Sequence, residues 1–460
     1  MTAMHDKPPP VTRREIFGWA MFDFANSSYT TIIITVFFSV YFTKVVVAGP
    51  NADGLWGLGI FITNLLVMLS SPLVGALADG SGRKKAFLFG SYVLCVGATA
   101  ALFFATPGQI VLGLVLLVIS NVAFSFGENF AAAFLPEIST PEKIGRISAF
   151  GWGLGYFGGL ACLLLVRPLV AGLDLPREVL IGAEGTGALF ELRMAWVVTA
   201  AFFLVAGLPT FFFLKERAPR RSSKSLKDFA AEGFHRLGET AREITHFSEL
   251  RRFLVIFFFY QAGLTTVVAF AGIFAERTLR FTTQELIVLF LMLQVASAAG
   301  ALVFGWIQDR IGGRRSIQIT LVIWVIVCVG SYFCQTKGQF WVLAGMAGLG
   351  IGSLQSASRA VVGLFSPREK SGEFFGFWGL AGKAAYMVGP IFFGVVSSLT
   401  GSQRTAILTT TVFFVIGLIG MAWVNEEHGH AEAARWHAEK SGAIPEGDDL
   451  PSSDPGGLSD

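Results

Sequence analysis

Charged residues are scarce in this chain of 460 residues. Asp, Glu, Lys and Arg together make up 15% of the sequence, whereas hydrophobic residues make up 53%. The mean hydropathy is +0.61. A soluble protein of this length needs more charge to solvate its surface. The composition therefore excludes a soluble globular protein and indicates an integral membrane protein.

Cysteine and histidine are also scarce, which limits the chemistry that the chain can carry. The four cysteines lie inside apolar runs without the spacing of metal ligands, and the six histidines all lie outside those runs. The sequence also contains no phosphate-binding loop and no nucleophile motif. We therefore expect no disulfide, no metal, no cofactor and no catalytic residue. A net charge of +3 gives no reason to expect nucleic acid as a partner.

Long apolar runs account for most of the chain. Twelve of them reach the roughly 20 residues that a membrane-spanning helix needs. They form two groups of six, in residues 16–214 and 253–424, separated by a polar segment at 215–252. Polar segments at 1–15 and 425–460 complete the chain. We expect an all-α integral membrane protein with twelve transmembrane helices in two six-helix halves.

The distribution of Lys and Arg orients this bundle. The N-terminus, the linker at 215–252 and the loops after spans 2, 4, 8 and 10 carry most of these residues. Because cytoplasmic loops carry the excess of positive charge, both termini are predicted to be cytoplasmic. The linker has an apolar stripe that fits a helix on the membrane surface, although a solvated connector fits equally well. Residues 425–460 are predicted to form a polar tail with a disordered end. We expect the three histidines of this tail to be solvated rather than to bind a metal.

Two loops repeat the same pattern, one in each half. "GALADGSGRKK" begins at Gly75 after span 2, and "GWIQDRIGGRR" begins at Gly305 after span 8, with the same glycine-to-aspartate spacing. A glycine allows close helix approach, and an aspartate can accept hydrogen bonds from a helix N-terminus and pair with nearby basic residues. The candidate residues of this loop motif are Gly75, Asp79, Gly82, Arg83, Lys84, Gly305, Asp309, Arg310, Gly312, Arg314 and Arg315.

The repeated loop resembles the loop motif of the major facilitator superfamily. The stretches "GWAMFDFANSSY", "ENFAAAFLPEIS" and "GEFFGFWGLAGKAAYMVGP" narrow the resemblance to the branch related to the fungal vacuolar amino-acid effluxers, whose bacterial members are of unknown function. This resemblance implies a secondary transporter that works by alternating access on a small-molecule substrate. It points to amino acids or other small polar metabolites as substrates and to the plasma (inner) membrane as the location. We expect the lipid bilayer and a small-molecule substrate as partners, and a monomer.

Several apolar runs nevertheless carry polar side chains. A charge at the bilayer centre costs roughly 2.5 kcal/mol or more, so such residues indicate a functional site. In the fold that the resemblance implies, spans 1, 4, 7 and 10 line a central cavity. These spans and span 11 contain Asp23, Asn26, Asn121, Glu128, Asn129, Tyr260, Gln261, Gln355, Arg359 and Lys383.

The four charged residues of this set balance to zero, which suggests two ion pairs that form in one state and loosen in another. Asp23 and Glu128 are the candidates for proton coupling. The candidate substrate-binding residues are Asn26, Asn129, Gln261, Gln355, Arg359 and Lys383. Permanent salt bridges and ordinary interhelical hydrogen bonds are the structural alternatives. The functional alternatives are an uncoupled facilitator, a channel-like protein or a sensor, and a membrane enzyme is not expected.

Overall fold

The computed structural model describes residues 10–49, 51–174, 177–182, 186–217 and 247–440. Within these residues, twelve helices are long and apolar enough to cross a membrane, which confirms the all-α, twelve-span prediction. The spans are α1 (Arg13–Val47), α2 (Ala52–Ser81), α3 (Lys84–Ala101), α4 (Ile110–Ala133), α5 (Ile144–Val166), α6 (Thr186–Phe213), α7 (Ser248–Leu279), α8 (Thr283–Ile311), α9 (Gly313–Phe333), α10 (Lys337–Phe365), α11 (Ser371–Thr400) and α12 (Gln403–Met421). The predicted amphipathic stripe of the linker lies outside the described residues.

Most helices extend a few residues beyond the apolar runs that mark them in the sequence. At two of these helices, polar residues form a cap at the first turn. Thr282 and Glu285 form a reciprocal capping box at the start of α8, and Thr336 and Gln339 do the same for α10. Each box satisfies backbone N–H groups that the first turn would otherwise leave unpaired. Hydropathy therefore locates the membrane core of each helix but not its ends.

The first span is not a regular α-helix throughout. Residues Thr30–Val36 and Phe42–Val47 form π-helical turns on either side of a short α-helical turn. Segments of this kind often occur at functional sites. The regular α-helix of the first span ends at Tyr29, so Asp23 and Asn26 lie on its regular part.

The two halves, α1–α6 and α7–α12, meet along two helix pairs. The pair α2 and α11 and the pair α5 and α8 run across the boundary between the halves. Each half has its own large apolar cluster. The end of the bundle that carries both repeated loops is called the motif face below, and the opposite end is called the far face.

A further helix, α13 (Glu426–Lys440), follows the last span and packs against α10 and α7. The sequence does not predict this helix, because its residues are polar and its anchoring points lie elsewhere in the chain. Glu426 accepts backbone N–H bonds from Gly313 and Arg314 at the start of α9, both at 3.0 Å. Its neighbour Asn425 donates its backbone N–H to Glu249 at the start of α7, at 2.7 Å.

The first half ends with the same arrangement. Glu216 accepts the backbone N–H of Lys85 at the start of α3, at 2.8 Å, and Lys215 donates its backbone N–H to Glu15 at the start of α1, at 3.3 Å. Arg217 adds an ion pair with Glu15. A carboxylate at a helix N-terminus is stabilised by the free N–H groups and the helix dipole. In each half, a glutamate that follows the last span therefore caps the N-terminus of the third helix.

Replacing Glu426 by alanine tests this arrangement. Two charge-assisted hydrogen bonds at the start of α9 would be lost, and bonds to charged groups contribute about 1.5–3 kcal/mol each. We expect a lower apparent Tm in detergent and faster proteolysis within α13. Glu427→Ala, which removes an exposed neighbouring carboxylate, is the matched control. Equal Tm values for the two variants would contradict the capping role of Glu426.

Candidate functional site

An ion pair joins the two halves inside the bundle. Asp23 on α1 accepts a hydrogen bond from Nη1 of Arg359 on α10, at 2.7 Å. The other two guanidinium nitrogens of Arg359 also donate, Nη2 to the Ser148 carbonyl at 2.7 Å and Nε to the Ser148 hydroxyl at 3.1 Å. The Ser148 hydroxyl in turn donates to the carbonyl of Ser356, at 2.8 Å. One cluster thus links α1 and α5 of the first half to α10 of the second.

This cluster is tightly enclosed. The side chains of Asp23 and Arg359 are 12% and 3% exposed, and the Arg359 guanidinium lies 4.8 Å from the ring centre of Trp19 and 5.3 Å from that of Trp152. A Cβ at Gly151 would collide with the Asp23 carboxylate and approach Nη2 of Arg359 to 2.7 Å. Only glycine leaves room for the pair, and the two tryptophan rings stabilise the cation.

The other two intramembrane charges do not form an ion pair. Glu128 on α4 and Lys383 on α11 lie on two helices that contact each other, but within the described residues neither has a hydrogen bond or an ion pair. Both are half-buried. The neighbouring Tyr386, whose ring centre lies 5.5 Å from the Lys383 ammonium, is 47% exposed. Of the two predicted pairs, one is therefore formed in this structure and the other is open.

Of the predicted amide side chains, some are hydrogen-bonded in this structure and others are not. Asn129 donates to the Ser71 hydroxyl at 3.2 Å, and a Cβ at Gly379 of α11 would lie only 2.5 Å from its amide nitrogen, so Asn129 packs at the boundary between the halves. Asn26 and Gln261 are buried, and their carbonyl oxygens have no partner within the described protein. Gln355 is half-buried. Among the predicted amide residues, Asn26 and Gln261 therefore each keep a buried acceptor without a partner.

The loop aspartates cap helices of the opposite half. Asp79 accepts the backbone N–H groups of Gly372 and Glu373 at the start of α11, at 3.1 and 2.8 Å. Asp309 accepts the backbone N–H of Arg146 near the start of α5 at 3.2 Å and its Nε at 2.6 Å. Each aspartate thus uses the free donors of a helix N-terminus to hold the halves together.

Lys84, the first residue of α3, is 1% exposed. Its ammonium lies 3.5 Å from Asp79, forms an ion pair with Glu137, and donates to the Ser371 hydroxyl at 2.8 Å and the Arg368 carbonyl at 3.2 Å. Of the remaining motif residues, Gly82 ends α2 with a φ of 62° and Gly312 ends α8 with a φ of 87°. Arg83, Arg310 and Arg315 are exposed, Arg314 is half-buried, and the guanidinium of Arg310 lies over the ring of Trp306.

Within the described residues, the hydrogen bonds and ion pairs between the two halves all lie toward the motif face. They involve Asp79, Lys84, Arg146, Asp309 and the Asp23–Arg359–Ser148 cluster. The structure therefore holds the motif face closed.

Sequence reasoning missed the residues that complete these clusters. Ser148, Trp19 and Trp152 surround Arg359, and Glu137 pairs with Lys84. Serine and tryptophan are common in membrane helices, so neither residue type marks a site by itself. Glu137 carries a signal that could have been used, because it is a carboxylate at the end of an apolar run and directly follows Pro136.

The fold and the site together define a helical membrane transporter. The structure of the human organic anion transporter MFSD10 superposes with a TM-score of 0.69 at 16% identity, covering 90% of this chain and 100% of that one. The Escherichia coli fucose:proton symporter FucP superposes with a TM-score of 0.68 at 16% identity, covering 90% and 98%. These likenesses show the major facilitator fold.

The family model "Vacuole effluxer Atg22 like" matches residues 59–434, and the chain belongs to this family. The uncharacterized MFS-type transporter YxiO of Bacillus subtilis is 30% identical over 415 residues, which cover 89% of this chain and 94% of that protein. The relatives are transporters, so this multi-pass protein is a membrane transporter and not an enzyme.

Proposed function

We propose that the protein is a proton-coupled secondary transporter that moves small polar metabolites, with amino acids as the leading class, by alternating access. The observation that carries this proposal is the pairing of charges in the bundle. One ion pair, Asp23–Arg359, joins the two halves, while Glu128 and Lys383 form no ion pair within the described residues. The fucose:proton symporter of the same fold adds a precedent for proton coupling.

The mechanism follows from the position of the Asp23–Arg359 pair. A proton on Asp23 would remove its negative charge, weaken its bond to Arg359 and so favour separation of α1 from α10. Glu128 is the second candidate proton site, because it lies in the same electrostatic neighbourhood. Proton binding would thereby change the equilibrium between the state with the motif face closed and the state with it open. We further propose that the motif face is cytoplasmic in the plasma membrane, as the Lys and Arg distribution predicts, and that the protein works as a monomer.

Flux into proteoliposomes tests the function. We expect a radiolabelled substrate, first identified by thermal-shift screening of amino acids, sugars, nucleosides and organic acids, to accumulate against its gradient when a pH gradient is imposed. A protonophore should abolish this accumulation. Counterflow, in which unlabelled substrate inside drives uptake of labelled substrate, should persist without any pH gradient.

The same assay separates the alternatives. Counterflow without accumulation under a pH gradient in either direction would identify an uncoupled facilitator and overturn proton coupling. Flux without counterflow would identify a channel. Stabilisation by a ligand with no flux of any kind would identify a sensor. Empty liposomes provide the background for each measurement.

A further inference from the structure

The two copies of the loop motif differ in how their basic residues are paired. In the first copy, the Lys84 ammonium lies against Asp79 and Glu137, and Lys85 donates to a backbone carbonyl just after α6. In the second copy, within the part of the chain that the structure describes, three guanidinium groups form neither an ion pair nor a hydrogen bond: those of Arg310, Arg314 and Arg315. These three residues, at the turn between α8 and α9, are called the arginine cluster below.

The carboxylates that contact this turn are engaged elsewhere. Asp309 pairs with Arg146 of the first half, and Glu426 accepts the backbone N–H groups of Gly313 and Arg314. Three guanidinium groups therefore stand against the single carboxylate of Glu426. In addition, Nε of Arg314 is buried without an acceptor, which is costly for a charged donor. The group that the arginine cluster lacks is an anion.

The position of the arginine cluster indicates where this anion comes from. Exposed apolar residues recur at helical spacing along α8, at Val295, Leu302 and Trp306, and along α9, at Ile319, Val322 and Ile326. Arg310 follows the first series by one helical turn, and Arg315 precedes the second by one turn. Exposed apolar faces of membrane-spanning helices contact lipid. Both arginines therefore lie where lipid-facing surface meets the headgroup region.

Trp306 fixes one of these guanidinium groups in place. The guanidinium carbon of Arg310 lies 3.3 Å from the ring centre of Trp306, and the tryptophan is 48% exposed. Tryptophan is enriched at membrane interfaces and stabilises a cation over its ring. The first copy of the motif has Ala76 and Gly80 at the equivalent positions, so it lacks both members of this pair.

We propose that the arginine cluster binds the phosphate of an anionic phospholipid at the motif face. A guanidinium group matches the phosphate geometry with two parallel hydrogen bonds, and the acyl chains lie along the exposed apolar faces of α8 and α9. A zwitterionic headgroup brings a cation of its own, so it leaves the excess charge of the cluster uncompensated. Each arginine beside an anionic lipid surface contributes roughly a fivefold gain in affinity. This site is independent of the substrate and of proton coupling.

Native mass spectrometry of the delipidated full-length protein in detergent tests the site. The probes are dioleoyl-phosphatidylglycerol, which is anionic, and dioleoyl-phosphatidylcholine, which is zwitterionic and has the same acyl chains. We expect phosphatidylglycerol to bind at least about tenfold more tightly. The double variant Arg310→Gln, Arg315→Gln should weaken phosphatidylglycerol binding about tenfold or more and leave phosphatidylcholine binding unchanged. Its Tm should equal that of the wild type, because both side chains are exposed.

Arg83→Gln is the matched control, because it neutralises an exposed arginine in the first copy of the motif. This variant should keep the wild-type preference for phosphatidylglycerol. An equal loss in Arg83→Gln and in the double variant would indicate general attraction to a basic surface and overturn the site. Equal binding of the two lipids to the wild type, or a preference that survives in the double variant, would also overturn it. Displacement of phosphatidylglycerol by an equal concentration of inorganic phosphate would identify a soluble anion as the ligand and refute the lipid.

Discussion

Replacing Asp23 by asparagine is expected to open the motif face and to abolish proton-driven flux. The amide is uncharged, so Arg359 would lose its counter-ion in the closed state while remaining enclosed by Trp19 and Trp152. Removing one partner of a buried ion pair costs about 3–5 kcal/mol, and every 1.4 kcal/mol is a tenfold change in an equilibrium. The closed state should therefore lose population by about a hundredfold or more relative to the open state.

Spin labels can measure this shift directly. Glu142→Cys and Arg315→Cys place labels on exposed residues of opposite halves at the motif face, and the four native cysteines are buried. In Asp23→Asn the distance between the labels should lengthen, and accumulation under a pH gradient should fall at least about tenfold. Asp53→Asn, which alters an exposed carboxylate at the far face, should change neither.

The same experiment distinguishes an Asp23–Arg359 pair that breaks during the transport cycle from a permanent salt bridge. A permanent bridge predicts that Asp23→Asn lowers the Tm while the distance distribution keeps its wild-type form. That result would remove Asp23 from the transport mechanism and leave it a structural role.

Introducing valine at Gly75 is expected to prevent closure of the motif face. A Cβ at this position would collide with the carbonyl oxygen of Gly372 and lie 2.7 Å from its carbonyl carbon. Both are backbone atoms of α11, so no side-chain rotation relieves the clash, and α2 and α11 would have to move apart. We expect counterflow to fall by at least about tenfold and the spin-label distance across the motif face to lengthen.

Gly57→Val provides a matched control on the same helix. A Cβ at Gly57 meets nothing within 4 Å, so the substitution adds the same side chain to α2 without a clash. Both variants should purify as monodisperse proteins, because valine is compatible with a membrane helix. Wild-type counterflow in Gly75→Val would show that the close contact between α2 and α11 is not required in the transport cycle.

Asp79 and Asp309 show how far a repeat in the sequence can be interpreted. Their positions in matching loops predicted equivalent surroundings, and in the structure both cap a helix of the opposite half. Their partners differ, since Asp79 lies beside the buried Lys84 whereas Asp309 pairs with the more exposed Arg146. The sequence pattern could not indicate which helix each aspartate would cap.

The sequence by itself determined the class of protein, the twelve spans and the identity of the four intramembrane charges. In lipid, an apolar run of membrane-spanning length is stable as a helix, because the helix satisfies its own backbone hydrogen bonds. A charged residue within such a run can be recognised from the sequence alone. The helix α13 was not predictable in this way, because it is held by two of its carboxylates. Glu426 accepts backbone N–H groups at the start of α9, and Glu432 accepts those of Ser248 and Glu249 at the start of α7.

Only the tertiary structure decided which charges are paired. Zero net charge is compatible with either partner for Asp23, and the packing decided in favour of Arg359, where Gly151 makes room and Ser148 supplies the remaining acceptors. The same packing left Glu128 and Lys383 apart. Pairing depends on distances between residues far apart in the chain, and those distances are set by how the two halves pack, which no local pattern in the sequence encodes.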